Sequence, residues 1–116
     1  MIDNQKVGSG PIKVAKVGDL KPGEGHIVLV DEKELALFNV DGEFYAVDNL
    51  CRHEGGPIGD GDLEDNIVTC PMHGWLYDVV TGTFVGDPTG EFQTDPKLNL
   101  KTYKVVIENK EVKVLL

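Results

Sequence analysis

The chain has 116 residues, 41% of them apolar, with 14 glycines, 6 prolines and two cysteines. A chain of this length folds as one domain and buries roughly two thirds of the surface its extended form exposes, so it needs no disulfide and its thiols are free for chemistry. Twenty acidic against 11 basic side chains leave a formal net charge of -9, which argues against nucleic acid or an anionic membrane as partner and suits a basic protein partner.

The opening, MIDNQKVGSGPIKVAK, lacks the apolar core of a signal peptide. No window approaches the ~20 consecutive apolar residues of a membrane span. The expected compartment is the cytoplasm, where thiols stay reduced. Residues 12–17 (IKVAKV), 26–30 (HIVLV), 35–40 (LALFNV) and 44–47 (FYAV) are short runs of β-branched and aromatic residues that read as strands. Lys-Pro-Gly, Asp-Glu-Lys and Asp41-Gly42 separate them, and Asp-Gly signals a type I′ hairpin because both central residues need positive φ. His26 opens its run without a ligand-type neighbour and reads as a surface or sheet-edge histidine.

The middle of the chain differs. From residue 49 to residue 90, Gly55, Gly56, Gly59, Gly61, Gly74, Gly82 and Gly86 leave only short strand-like pieces at 67–69 and 76–80. Asp60, Asp62, Glu64 and Asp65 alternate like a calcium loop but lack its terminal bidentate glutamate, so a solvated turn is expected. Residues 86–98, with Pro88 and Pro96, form a loop, either a connector or a third wall against the motif loops described next. Strand grammar returns at 103–107 and 112–116 around Glu108-Asn109-Lys110-Glu111, a second hairpin. No segment sustains a helical period. The expected fold class is all-β: antiparallel sheets in one domain over 1–116, with a base and a small loop-rich lobe of about residues 49–90 inserted into it.

Cys51-Arg52-His53 and Cys70-Pro71-Met72-His73 read Cys-x-His-x16-Cys-x2-His and use both cysteines and two of the three histidines. Three chemistries compete for them. A disulfide would leave the histidines without a purpose. A closed tetrahedral zinc site suits two sulfurs and two nitrogens, but ligands on one zinc knuckle usually stand two to four residues apart, not one. In a [2Fe–2S] cluster with thiolates on one iron and imidazoles on the other, the Cys and His of a loop need not converge on one atom, and the spacing fits. Gly55-Gly56 and Gly74, just after the ligands, would let backbone N–H groups come close to the bridging sulfides.

Cys51-Arg-His-Glu-Gly-Gly-Pro57 and Cys70-Pro-Met-His-Gly-Trp-Leu-Tyr-Asp78 resemble the two cluster-binding loops of the Rieske family, and in length the chain is similar to the soluble Rieske-type ferredoxins. The resemblance implies antiparallel sheets with a cluster lobe, one [2Fe–2S] cluster per chain, and Cys51, His53, Cys70 and His73 as its ligands. It further implies that Glu54, Gly56, Met72, Trp75 and Tyr77 surround the cluster. High-potential Rieske proteins of respiratory complexes carry a loop disulfide at the positions of Gly56 and Met72, and a serine at Trp75 that bonds a bridging sulfide. Their tyrosine, which bonds a cysteine ligand, is kept here as Tyr77. Without that serine and with a net charge of -9, the potential is expected in the lower half of the ~-150 to +300 mV Rieske range.

The expected function follows from the same resemblance and from counting. Once His53 and His73 are ligands only His26 remains, too few for the two-histidine, one-carboxylate iron of a Rieske oxygenase. The chain is then an electron carrier rather than an enzyme, taking electrons from a flavin- or iron–sulfur-containing reductase and passing them to an oxygenase or another redox enzyme. Two alternatives stand beside it: a small redox subunit of a nitrite-reductase-like system, and a zinc-stabilised interaction module.

Overall fold

The computed structural model describes residues 10–51, 55–72, 74–90 and 94–116. Ten strands follow one another: β1 (Ile12–Lys16), β2 (Gly25–Val30), β3 (Lys33–Val40), β4 (Glu43–Asp48), β5 (Asp62–Glu64), β6 (Ile67–Thr69), β7 (Leu76–Asp78), β8 (Phe84–Gly86), β9 (Thr102–Glu108) and β10 (Glu111–Leu115). They build a six-stranded antiparallel sheet in the order β1-β10-β9-β4-β3-β2 and a four-stranded one in the order β5-β6-β7-β8. The edge strands β1 and β2 approach each other, so the larger sheet is nearly closed. The smaller sheet lies between β4 and β9 in the chain. The all-β architecture expected from the strand grammar is the one observed.

β3 shows how the two sheets are joined. Its residues from Leu35 to Asn39 are all buried, the mark of a strand covered on both faces. Leu35 and Leu37 point into the base with Val30, Phe44, Val112 and Val114. Ala36 and Phe38 point the other way, into a core shared with Val68, Tyr77 and Phe84 of the small sheet and with both cysteines. Full burial of a side chain such as Phe38 contributes about 2–3 kcal/mol, so this second core fixes the small sheet on the base.

Two expectations need correction. The acidic stretch read as a solvated turn contains strand β5: Leu63 is half-buried between exposed Asp62 and Glu64, and only Asp65 turns, at φ +56°. The run at 76–80 ends as strand at Asp78, and Phe84–Gly86 forms a strand where none was expected.

Candidate metal centre

Three hairpin loops in the molecule share one backbone plan. In the first, the Cys51 N–H donates to the Gly56 carbonyl at 2.8 Å and the Gly55 N–H donates back to the Cys51 carbonyl at 2.9 Å. In the second, Cys70 donates to Trp75 at 2.8 Å and Gly74 to Cys70 at 3.0 Å. In the third, Asp78 donates to Thr83 at 2.8 Å and Gly82 to Asp78 at 2.7 Å. Each loop closes on a glycine in the left-handed region, with φ of +73° at Gly55, +78° at Gly74 and +80° at Gly82, where a Cβ is strongly disfavoured.

The third loop shows what the plan does. Asp78 holds the position of the cysteines, and its Oδ1 accepts the N–H groups of Val80 at 2.9 Å and Thr81 at 3.4 Å. A loop of this shape turns backbone donors onto an acceptor at its first residue. The residues matching Val80 and Thr81 are His53 and Glu54 in the first loop and Met72 and His73 in the second, and of these only Met72 is among the described residues.

Neither cysteine is in a disulfide and both are buried, 5% and 1% exposed at Cys51 and Cys70. They belong to one core with Trp75, Tyr77 and Phe84. The Tyr77 hydroxyl stands 3.4 Å from Cys51 Sγ. Trp75 is buried with its ring 4.5 Å from that of Phe84, centroid to centroid, and so packs the floor of the second hairpin. Gly56 is where the two hairpins meet. A Cβ there would lie 2.9 Å from Cys70 Sγ and 3.0 Å from Met72 Cβ, and would overlap Met72 Cγ. The positions where a disulfide was expected in respiratory relatives are thus in contact, with the half-exposed Met72 side chain lying over the glycine. From the far side Pro88 closes on the second hairpin, since a Cβ at Gly74 would stand 3.1 Å from its Cγ. Of the two readings of residues 86–98, a connector or a third wall against both motif loops, this contact touches the second loop alone.

Arg52, His53, Glu54 and His73 lie outside the described residues. Of the four expected ligands the structure brings together the two cysteines. His26 is exposed on β2, as expected of a sheet-edge histidine.

Several residues that position the site carried no sequence signal. Asn49, two residues before Cys51, is 1% exposed and bonds to Glu34 and Gly59. Tyr103 on β9 donates its hydroxyl to Asp48 Oδ1 at 2.6 Å, where β4 leads into the first hairpin. Burial and then that bond hold Tyr103 above the usual tyrosine range, and Lys33 is pushed up by its own bond to Tyr103. Their partners are far away in the chain, so only the fold reveals them.

The donor set fits a cluster. Two buried thiols sit in loops of one backbone plan, with a hydroxyl beside one and a glycine cradle beside the other that a single Cβ would fill. A Rieske [2Fe-2S] domain profile matches residues 10–104. The ferredoxin component of the naphthalene 1,2-dioxygenase system of Pseudomonas putida is 40% identical over 103 residues, covering 89% of this chain and 92% of that one. Among solved structures, the Sphingomonas yanoikuyae B1 ferredoxin superposes with a TM-score of 0.80 at 32% identity, over 92% of this chain and 99% of that one. The ferredoxin in a complex of reduced oxygenase and oxidized ferredoxin of carbazole 1,9a-dioxygenase gives 0.77 at 30% identity, over 89% and 99%.

Proposed function

This chain belongs to the Rieske [2Fe–2S] domain family, and from that premise we propose that it is a soluble one-electron carrier, the ferredoxin component of a bacterial dioxygenase system. It takes electrons from a reductase and passes them to the oxygenase. The observation that carries this reading is the pair of equivalent hairpins, each with one buried cysteine outside any disulfide, in a chain alike over nearly its full length to dioxygenase ferredoxins.

Cys51 and Cys70 would hold one iron, and His53 and His73 the other, in a lobe of about residues 49–90. The bound cluster supplies a reversible one-electron couple and no bond chemistry. The protein's residues do the rest. The core that buries the thiols excludes water from them. Tyr77 directs its hydroxyl at Cys51, while Met72 covers Gly56 beside Cys70. Among the described residues no helix is long and apolar enough to cross a membrane. We place the protein in the cytoplasm, which matches two cysteines that form no disulfide.

The relatives favour a dioxygenase partner over a nitrite-reducing one, and the family favours iron and sulfide over zinc. Purified protein is expected to be red-brown, with two irons and two acid-labile sulfides per chain. It should accept one electron and return it to an oxygenase. Colourless protein holding one zinc per chain would contradict the proposal.

A further inference from the structure

We propose that Asn49 and Glu34 form a latch that positions the first cysteine hairpin on the base sheet, and that this latch sets how firmly the cluster site is held. The inference rests on the reading of the two hairpins as the cluster site, and it concerns residues outside the expected ligand set.

Asn49 is buried and bonds through both ends of its carboxamide and through both of its backbone groups. Its Nδ2 donates to Glu34 Oε1 at 3.0 Å, and its Oδ1 accepts the Gly59 N–H at 2.7 Å. Its carbonyl accepts the Ile58 N–H at 2.7 Å, and its own N–H donates to the Glu34 carbonyl at 3.3 Å. One side chain therefore ties together both arms of the hairpin, Asn49 on the way in and residues 57–59 on the way out. It ties the pair to β3 as well. Beyond the latch, the Leu50–Pro57 bridge and the Cys51 to Gly56 bond continue the ladder up to the thiol.

Gly59 is shaped for this bond. A Cβ on it would stand 3.0 Å from Asn49 Oδ1 and 2.6 Å from Ile27 Cγ1. Only a glycine lets the carboxamide seat between β2 and the returning arm. An asparagine is specified as closely: the position needs an acceptor for Gly59 and a donor for a carboxylate on the same side chain. Aspartate supplies only the first and would set one carboxylate against another.

That asymmetry gives a test in which a second substitution restores what the first removes. In Asn49→Asp the acceptor for Gly59 survives but the donor to Glu34 is lost. In the double variant Asn49→Asp/Glu34→Gln the glutamine amide can donate to the new aspartate, so the bond returns with its direction reversed. Glu34→Gln alone keeps an acceptor for Asn49. The measurements on cluster-loaded protein are the rate of cluster release to an iron chelator, followed by visible absorbance, and amide hydrogen exchange at Ile58 and Gly59.

Asn49→Asp is expected to release the cluster about tenfold faster and to lose protection at both amides, because the buried carboxylate introduced at position 49 loses the bond to Glu34 and is set against its charge. The double variant should return to within about twofold of the parent in both readouts, as should Glu34→Gln. Parent-like release and exchange in Asn49→Asp would overturn the latch. So would a double variant as fast as Asn49→Asp, and an Asn49→Asp that fails to fold leaves this second comparison, against the parent, still decisive. Amide exchange can be read on protein without a cluster, so failure of the cluster assignment and failure of the latch are distinguishable.

Discussion

The Tyr77 hydroxyl lies 3.4 Å from Cys51 Sγ, and toward a metal-bound thiolate, which has no proton to give, it would be the donor. A bond of this kind favours the more negative, reduced state and raises the potential. Tyr77→Phe keeps the ring in its packing with Trp75 and Phe84 and removes only the donor. If the bond contributes about 1 kcal/mol to the difference between the two redox states, the potential falls by about 40 mV. Film voltammetry of the two proteins measures this directly, and an unchanged potential would show that the hydroxyl bonds elsewhere. At this scale residue type and spacing single out the cysteines as candidate ligands, whereas Tyr77 stands out only through the family resemblance. The sequence could not reveal Asn49, whose side-chain partners Glu34 and Gly59 are 15 and 10 residues away, nor the burial that makes its bonds matter.

The hairpins are legible in the sequence in proportion to how far their turn residues match their backbone. Asp41 and Gly42 both take positive φ, +53° and +97°, as the Asp-Gly signal requires. Asn109 and Lys110 do the same at +52° and +63°, yet lysine gives no sign of it. Holding a side chain in the left-handed region costs roughly 1 kcal/mol. Lys110→Gly should therefore stabilise the protein by about 0.5–1 kcal/mol, after allowing for the extra freedom of glycine in the unfolded chain. A urea midpoint that rises with unchanged slope is the expected result, and a fall would mean the Lys110 side chain holds the β9–β10 hairpin. Strands β5 and β8 escaped the sequence reading for another reason. Each is three residues long, and β5 exposes two of its three, so neither has an apolar period to detect.

At the scale of the whole molecule, the base sheet carries the small sheet, which carries one cysteine hairpin, while the other hairpin springs from the end of β4. β3 serves both cores and so keeps the two hairpins in register. The thiols lie buried behind half-exposed Met72, and the chain carries a net charge of -9. Both that charge and the apolar tryptophan at position 75 act to lower the potential, while the imidazoles proposed for one iron raise it far above a cluster held by four thiolates. The central claim is that two cysteines and two histidines share the cluster, and its most direct test is the reduction potential of the purified protein. A one-electron wave in the lower half of the ~-150 to +300 mV range is expected, and a value of about -400 mV, that of an all-cysteine plant-type ferredoxin, would rule shared ligation out.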